Sequence, residues 1–595
     1  MKSRIMSAQD LDFLLYEWLD AESLIQRPRY QDHSRQTFDA VLALSEELAV
    51  QEFAPHNRAG DINEPWFDGT RVHIIPEVAQ ALQALADSGL TAATLDAEVG
   101  GGQLPHVVGR AAATWLQAAN LATATYPALS IANANLLLAH GSAEQVDRFV
   151  RPIIEGRAFG TMCLSEPQAG SSLADVLTRA LPAPDGSYRI FGSKMWISGG
   201  DHDLSENIVH LVLAKTPDAP AGVKGISLFI VPKFLVNEDG SLGERNDVVL
   251  AGINHKMGYR GTVNTILNFG EGTYRPGEEA GAVGYLVGEE HHGLAYMFHM
   301  MNEARIGVGA AAVALGYTGY LHALDYARNR PQGRLPWEKD PASPPVPIVK
   351  HADVRRMLLA SKSYVEGGLA LVLYAARLLD EQATAPDEAS RARATLLLDV
   401  LTPIVKAWPS QWCMKANDYA IQVHGGYGYT REYAVEQLFR DNRLNSIHEG
   451  TDGIQALDLL GRKVTMNAGA GLRALYEEVA QTCSRATGDL AAPAKALQDA
   501  MDRVAMVTAA LWADRDPRIA LGNATLYADA LGHVVIAWIW LEQMLACEAR
   551  ADDFAEGKRA AGRYFFDFEL PRIYPSLEVL ARLDTTFVDL DDAWL

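Results

Sequence analysis

The spacing of apolar residues divides the chain into stretches of helical and of β-type sequence. Apolar residues recur at every third or fourth position early in the chain, which predicts amphipathic helices around 38–49, 78–85 and 111–122. From about Gly160 to Phe269 the apolar runs are short and separated by Gly, Pro, Asn and Asp, which predicts strands. Helical spacing returns at Gly293 and continues towards the C-terminus, with breaks at several prolines.

This order of helical, β and helical sequence predicts an α+β protein of several domains. The expected division is an N-terminal extension (1–37), an N-terminal helical domain (38–158), a central β domain (159–275), a C-terminal helical bundle (276–463) and an extra helical domain (464–595). A proline-rich stretch, 336–347, is expected to be an exposed loop.

Composition and charge exclude several classes of protein. The net charge is −22, and an acidic surface argues against nucleic acid as the main partner. The four cysteines are widely spaced, so we expect no disulfide framework, no metal site and a reducing, cytoplasmic location. The N-terminal residues become acidic before any long apolar run, which is not typical of a secretory signal. We expect no membrane span, because the longest apolar stretch, 534–546, contains Glu542 and is better interpreted as a buried helix.

Two short patterns resemble functional motifs but have simpler explanations. Gly307–Ala312 matches the GxGxxA fingerprint of dinucleotide-binding proteins, but it follows Arg305 inside a helical run instead of a strand. We therefore interpret its small residues as a site of tight helix packing. Glu289–His292 contains two adjacent histidines, which do not share a helix face, so a surface loop is favoured over a metal site.

Four segments carry residue types suited to a bound cofactor and to proton transfer. They are CLSEPQAGSS (Cys163–Ser172), GSKMWISGG (Gly192–Gly200), QVHGGYGY (Gln422–Tyr429) and LFRD followed by NSIHEGTDGIQ (Leu438–Gln455). Serine hydroxyls and free N–H groups suit the polar edge of a planar ring or a phosphate, and a tryptophan can form an aromatic wall. Dense glycines let the backbone approach a ligand closely. Each of the first two segments, taken alone, is also compatible with an ordinary turn or strand.

In this order, on this helix–β–helix layout, the four segments resemble the acyl-CoA dehydrogenase family. The resemblance extends over residues 35–463 and includes two further matches, His255–Gly261 and Met301–Arg305. It implies an N-terminal helical domain, a central β-barrel or sandwich and a C-terminal helical bundle. The added residues 464–595 resemble the longer branch of the family, which includes fatty acyl-CoA and 3-methylthiopropanoyl-CoA dehydrogenases.

The resemblance implies a role for individual residues. Glu449 is the expected base that removes the α-proton of an acyl-CoA thioester, while the β-hydride passes to N5 of FAD. The expected FAD-binding residues are Met162, Leu164, Ser165, Trp196, Ser198 and Thr451, with Arg330, Gln332, Gln422 and Gly426 completing the site of a second subunit. The expected substrate-binding residues are Ser171, Arg305 and Gly450. An electron-transferring flavoprotein is the expected acceptor, and a shared FAD site implies at least a homodimer.

Three positions depart from the family pattern. Asn302 stands where relatives usually carry Asp, so the usual ion pair with Arg305 is expected to be absent. Arg330–Gly333 lacks a phenylalanine that is common there, and His448 precedes Glu449 where a tyrosine is frequent. His448 could tune the base or simply form part of the pocket wall.

The expected function is β-oxidation of a medium or long straight-chain acyl-CoA, and several alternatives compete with it. The substrate could instead be 3-methylthiopropanoyl-CoA, or the enzyme could be an oxidase that uses oxygen, because motifs separate the two classes poorly. A DNA-binding relative is disfavoured, since residues 464–595 hold 12 basic and 20 acidic residues, a net charge of −8. An inactive scaffold is disfavoured by the intact segment around Glu449.

Overall fold

The chain divides into two compact units, each built from segments that are distant in sequence. A computed structural model describes residues 4–595. One unit, here the helical unit, combines the segment up to Asp39 with Pro105–Ala118 and Arg305–Leu595. The other, here the β-containing unit, combines Ala40–Leu104 with Ala119–Ala304.

The strands lie in the β-containing unit, and all but β1, β2 and β12 fall in or at the edge of the stretch predicted for them. In chain order they are β1 (Trp66–Phe67), β2 (Val72–His73), β3 (Ala158–Cys163), β4 (Arg179–Pro182), β5 (Tyr188–Ser198), β6 (Asn207–Lys215), β7 (Ile226–Pro232), β8 (Phe234–Val236), β9 (Leu242–Arg245), β10 (Val248–Ile253), β11 (Asn264–Phe269) and β12 (Ala282–Leu286). Eight of them form one sheet in the order β10-β11-β5-β12-β7-β6-β3, with β4 beside β5 and β6. Strands β6 and β7 are buried along nearly their whole length, which explains their continuous apolar sequence.

Strand β12 lies beyond the end that the sequence predicts for the β domain. Its residues Ala282–Leu286 pair with β5 and β7 in the middle of the sheet, so the sheet extends past residue 275. The sequence AVGYL is short and stands between glycines and charged residues, and this context hid the strand from a pattern-based prediction.

The helices form the rest of both units. In chain order the α-helices are α1 (Ala8–Asp12), α2 (Arg35–Leu48), α3 (Asn57–Ile62), α4 (Pro76–Asp87), α5 (His106–Ala119), α6 (Leu121–His140), α7 (Ala143–Gln145), α8 (Arg151–Ile154), α9 (Gly293–Asn329), α10 (Ala352–Thr384), α11 (Glu388–His424), α12 (Val435–Asn442), α13 (Asp452–Asp458), α14 (Met466–Arg485), α15 (Ala491–Leu511), α16 (Pro517–Leu521), α17 (Ala524–Ala546), α18 (Asp553–Tyr564), α19 (Ile573–Ala581) and α20 (Thr586–Asp589). Short 3-10 and π-helical turns connect several of them. Residues 336–347 contain neither helix nor strand and are mostly exposed, as the sequence predicts.

Glycines on α9 allow this helix to approach α11 very closely. A methyl group at Gly309 would lie 2.1 Å from the carbonyl oxygen of Val405, and one at Gly319 would lie 2.4 Å from the side-chain amide of Asn417. These distances are too short for any side chain larger than hydrogen. The interpretation of Gly307–Ala312 as a site of helix packing is therefore confirmed at Gly309.

The C-terminal extension packs into the core of the helical unit through α17. This helix is the one described helix long and apolar enough to cross a membrane, but 78% of its apolar window is buried inside the protein. Its Trp540 is fully buried and donates a hydrogen bond to the carbonyl of Ser363 on α10, at 3.0 Å. The expectation that 534–546 belongs to a buried helix is confirmed.

A buried cluster of charges joins both ends of the chain to the helical unit. The Lys558 ammonium on α18 contacts the carboxylates of Asp10 on α1 and Glu366 on α10, the latter at 2.9 Å, and donates to Gln543 at 2.9 Å. All four residues are at least 97% buried. Because removal of one member would leave a buried charge without its partner, this cluster fixes how the N-terminal segment and α18 sit on α10.

The close contact between α9 and α11 yields a matched pair of substitutions. Gly309→Ala would push a methyl group into the Val405 carbonyl, and we expect a loss of about 1–3 kcal/mol of stability, seen as a lower melting temperature. At Gly307 the nearest atom to such a methyl group is 3.9 Å away. Gly307→Ala is therefore expected to leave the melting temperature unchanged or to raise it, because alanine favours helix by about 1 kcal/mol. Equal effects of the two substitutions would contradict the packing described here.

Candidate active site

The loop after β3 is held against β5 by two hydrogen bonds. The Lys194 ammonium donates to the carbonyl of Leu164, and the Met195 N–H donates to the carbonyl of Ser165, both at 3.0 Å. Leu164 and Ser165 are half-buried. Two of the predicted cofactor contacts are thus brought beside the strand that carries Trp196.

Trp196 lies at a β-bulge in the strand pair β5–β11. The register between the two strands shifts where Ile197 and Lys194 face Thr265 and Leu267, which leaves Trp196 in the bulged part of β5. Its φ is 66°, a value rare for a bulky residue, and its side chain is 59% exposed. A bulge re-aims a side chain, and here it turns a large aromatic ring outward.

The remaining predicted residues of this unit surround the same strand end or its neighbouring loop. The Ser198 hydroxyl, two residues beyond Trp196, accepts a hydrogen bond from Asn264 on β11 at 3.3 Å. Met162 is half-buried on β3, and Ser171 lies exposed in the loop between β3 and β4. Met162, Leu164, Ser165, Trp196 and Ser198 therefore belong to one neighbourhood, with Ser171 on the same loop.

A buried ion pair that the sequence did not reveal supports this neighbourhood. Glu166 contacts the Lys194 ammonium at 2.9 Å and also accepts hydrogen bonds from the Thr178 N–H, the Thr178 hydroxyl and the Leu177 N–H. Burial alone would raise the pKa of Glu166, but the charge of Lys194 and these bonds lower it to about 2. The pair therefore fixes the loop Leu164–Glu166 on β5.

In the helical unit, Glu449 stands in a tight turn just before α13. Its φ is 53° and that of Gly450 is 85°, so two consecutive residues adopt the left-handed conformation. The side-chain amide of Gln455 donates to the carbonyls of Glu449 and Gly450, at 3.1 and 3.2 Å. A methyl group at position 450 would lie 2.5 Å from that amide nitrogen, which explains the glycine. Gln455 lies in the segment that the sequence singled out, but its role is visible only in the structure.

Thr451 closes the turn and begins α13. Its hydroxyl accepts a hydrogen bond from the N–H of Ile454 at 3.3 Å, the usual arrangement of an N-cap. The backbone hydrogen bonds described for residues 4–595 do not use the N–H of Glu449. This N–H is therefore available to an oxygen atom of a ligand.

The electrostatics around Glu449 are dominated by burial and by two cations. Burial raises the pKa of Glu449, and the charges of Lys406 on α11 and Arg305 on α9 oppose that rise. Burial lowers the pKa of Lys406 to about 8, against an opposing effect of Asp452. His448 is neutral, because burial and the charge of Lys406 lower its pKa to about 3, and its Nε2 lies 3.1 Å from Oδ1 of Asn445.

Arg305 forms an ion pair with an acidic residue other than position 302. Its guanidinium donates to Asp458 on α13 at 2.8 Å, and its side chain is only 6% exposed. The partner is 153 residues away in sequence, so inspection of neighbouring positions could not find it. Asn302 itself is exposed.

The residues assigned to the second half of the cofactor site lie on two exposed segments. Arg330 and Gln332 belong to a turn held by the isolated bridge between Pro331 and Pro347, and Gln422 lies near the C-terminal end of α11. The Arg330 guanidinium lies 5.4 Å from the ring centre of Tyr427, in the glycine-rich turn that contains Gly426. This cation–π contact brings the two segments together in the same chain.

The residues present fit a planar cofactor with polar edges and a thioester substrate. The β-containing unit offers an outward-facing indole beside the hydroxyls of Ser165 and Ser198. The helical unit offers a half-buried carboxyl, an available N–H at the same residue, and an exposed arginine suited to phosphate.

Comparisons with known proteins match the chain between residues 40 and 591. Four family models match consecutive parts of the chain: the acyl-CoA dehydrogenase N-terminal domain (40–157), middle domain (161–270) and C-terminal domain (291–465), and an acetyl-CoA dehydrogenase C-terminal-like domain (475–591). Together they account for most of the sequence.

Two curated relatives are similar over nearly their whole length. The 3-methylmercaptopropionyl-CoA dehydrogenase of Ruegeria pomeroyi is 38% identical over 546 residues, covering 89% of this chain and 90% of the relative. The broad-specificity linear acyl-CoA dehydrogenase FadE5 of Mycobacterium tuberculosis is 34% identical over 621 residues, covering 99% of both chains.

The fold is also found among solved structures. An acyl-CoA dehydrogenase from Bacillus anthracis, solved in complex with FAD, superposes with a TM-score of 0.74 at 19% identity, covering 98% of this chain and 93% of that one. The chain therefore belongs to the acyl-CoA dehydrogenase family, whose members are FAD-binding oxidoreductases that act on the CH–CH bond of acyl-CoA thioesters.

Proposed function

We propose that this protein dehydrogenates the Cα–Cβ bond of a linear acyl-CoA, with Glu449 as the base that removes the α-proton. The observation that carries the proposal is the turn at Glu449. A half-buried carboxyl with a raised pKa and an available backbone N–H occur at one residue, held by Gln455. A base and a hydrogen-bond donor for the adjacent oxygen are the two groups that this proton transfer needs.

Residues of this chain would accept the α-proton and stabilise the charge that its removal creates. The Cα–H bond breaks, the proton moves to a carboxylate oxygen of Glu449, and negative charge develops on the thioester oxygen. The backbone N–H of Glu449 would donate to that oxygen, and its strained turn would keep donor and base in a fixed relation. Burial makes the carboxylate a stronger base than it is in water.

Bound FAD supplies the acceptor for the hydride that leaves Cβ. Trp196 would lie against the flavin ring, with the hydroxyls of Ser165 and Ser198 at its polar edges. Thr451, Arg330, Gln332, Gln422 and Gly426 would contact the phosphate and adenine parts, and Ser171, Arg305 and Gly450 the substrate.

The names of the two relatives favour a linear acyl group, and one of them favours a thioether. FadE5 is named for broad specificity towards linear acyl-CoA, which supports a straight-chain substrate. The medium or long chain and the role in β-oxidation are part of our proposal. The 38% identical relative is named for 3-methylmercaptopropionyl-CoA, which makes this thioether acyl group the second candidate. Its acyl chain has the same number of chain atoms as pentanoyl-CoA, with sulfur in place of one methylene.

We propose an electron-transferring flavoprotein as the electron acceptor, which is supported by a 30% identical relative named as a subunit of a caffeyl-CoA reductase–Etf complex. A cytoplasmic location fits the buried free thiols of Cys163, Cys413 and Cys547. We further propose a homodimer, in which Arg330 and the glycine-rich turn of one subunit complete the FAD site of the other. Tyr429 in this turn is 89% exposed, so the turn is accessible to a second subunit. We expect light scattering to give the mass of two chains.

The assignment of the base is tested by Glu449→Gln. We expect this variant to retain yellow bound flavin but to lose bleaching by acyl-CoA, with a rate about 10²–10⁴-fold below that of the unaltered protein, because the amide cannot accept the proton. Stopped-flow absorbance of the flavin measures the rate. Glu144→Gln, at an exposed carboxyl, is the matched control and should bleach normally. Bleaching of Glu449→Gln at the normal rate would refute the assignment.

The substrate class is tested by comparing two acyl chains of equal length. Pentanoyl-CoA and 3-methylthiopropanoyl-CoA are assayed with an artificial electron acceptor, together with octanoyl- and palmitoyl-CoA. We expect the straight chains to be turned over with the higher kcat/KM. A preference for the thioether over its pentanoyl isostere of more than about tenfold, or 1.4 kcal/mol, would favour the second candidate. Parallel detection of peroxide distinguishes an oxidase, for which oxygen would replace the flavoprotein acceptor.

A further inference from the structure

Lys406 is a fully buried lysine whose ammonium has little compensation from its surroundings. It lies in the middle of α11, and its side chain is 0% exposed. The nearest carboxylate oxygen, Oδ1 of Asp452, is 3.6 Å from its Nζ, and the Nζ makes no hydrogen bond among residues 4–595. A buried ammonium without a full set of partners costs free energy, because the lost hydration is not replaced.

Two other buried lysines, Lys194 and Lys558, have a closer set of partners. Lys194 lies 2.9 Å from Glu166 and donates to a carbonyl at 3.0 Å. Lys558 contacts two carboxylates and a side-chain amide. Lys406 differs from both, because its nearest carboxylate, at 3.6 Å, belongs to Asp452, the first residue of α13 and only three residues after Glu449. From this place its charge also acts on Glu449 and His448.

We propose that Lys406 is a positioning residue of the proton-transfer site, whose buried ammonium acts on the carboxyl group of Glu449 and favours its ionised form. The inference rests on the role proposed for Glu449 and extends it. Lys406 would touch neither substrate nor flavin and would act only through the charge of the base.

Of the two cations that act on Glu449, Lys406 has the weaker pairing with a carboxylate, and Arg305 has the stronger. Glu449 is faced by Lys406 from α11 and by Arg305 from α9. Arg305 is engaged by Asp458 at 2.8 Å, so much of its charge is balanced. Asp452, which faces Lys406, has a side chain that is 23% exposed and therefore partly screened by solvent.

The other ionisable groups near Lys406 and Glu449 do not supply the positive charge that Lys406 provides. Asp452 is also faced by Arg443 and by the hydroxyl of Ser446, which share its negative charge with Lys406. His448 is adjacent to Glu449 but neutral, since its pKa is lowered to about 3. Lys406 remains protonated at neutral pH, because its pKa is about 8.

The sign of the effect follows from these charges. Burial raises the pKa of Glu449 and Lys406 lowers it, so the loss of Lys406 must raise it further. A base is active only when ionised, so kcat/KM falls as the pH drops through its pKa. Replacement of Lys406 by a neutral residue should therefore move the acid limb of the kcat/KM profile to higher pH.

The experiment compares Lys406→Met, Lys406→Gln and Lys406→Arg as FAD-loaded proteins. With pentanoyl-CoA or the preferred substrate, we expect the acid limb of Lys406→Met and of Lys406→Gln to move up by about one pH unit, as removal of a nearby opposite charge implies. Above pH 8 the difference from the unaltered protein should narrow. Lys406→Arg, which retains the charge, should restore most of the original profile.

A second measurement does not depend on turnover. The protonated carboxyl of Glu449 is followed by infrared titration, as the difference between each protein and the same protein carrying Glu449→Gln. Its midpoint should move in the same direction and by the same amount as the acid limb. Flavin content and melting temperature are recorded for every variant.

Lys463→Met is the matched control for the loss of a buried lysine. Lys463 is 4% exposed at its side chain and pairs with Asp399, but it is absent from the charges that act on Glu449. We expect it to lower the melting temperature and to leave the acid limb in place. An equal shift in Lys463→Met, or unchanged limb and infrared midpoint in both neutral variants at Lys406, would overturn the inference. Normal bleaching by Glu449→Gln would instead refute the role of Glu449, while the infrared midpoint would still report whether the charges are coupled.

Discussion

The close approach of α9 and α11 determines the chemistry of the helical unit. Gly309 allows α9 to meet the backbone of α11 at Val405 without an intervening side chain. Arg305 lies one helical turn before Gly309, and Lys406 directly follows Val405, so this contact brings both cations to the neighbourhood of Glu449. A bulkier residue at position 309 would separate the helices and weaken the electrostatic control of the carboxyl group.

The two residues proposed to contact flavin and substrate most directly both have unfavourable backbone conformations. Trp196 and Glu449 have φ values of 66° and 53°, each of which costs about 1–3 kcal/mol at a non-glycine residue. Their surroundings compensate for this cost in different ways. The bulge against β11 holds Trp196, and the amide of Gln455 holds the turn at Glu449. In both places rigid secondary structure fixes an otherwise disfavoured direction of the side chain.

Sequence periodicity predicted helices and strands, which depend on residues close in the sequence. It did not predict contacts between residues that are distant in the sequence. Strands β5, β6, β7 and β11 and the long helices followed from runs of apolar residues. Strand β12 was missed because its neighbours in the sheet, and not its own sequence, make it a strand. The candidate site residues came from a family resemblance, and the structure groups those of each unit. The partners Asp458 of Arg305 and Gln455 of Glu449 depend on tertiary contacts. Lys406 stands in the apolar run LTPIVKAWPS, where its burial beside a carboxyl group has no signature in the sequence.

A buried carboxylate that must take a proton from carbon faces two opposing demands. Burial strengthens it as a base, but the same burial disfavours its charged form and so opposes ionisation. A nearby cation with a complete set of partners would contribute little, because its own carboxylate would cancel its field. Asp452 does not cancel the charge of Lys406 in this way. Its nearest oxygen is 3.6 Å from the Lys406 Nζ, and its side chain is partly exposed to solvent. The incomplete pairing of one lysine thereby reconciles a desolvated base with an ionised one.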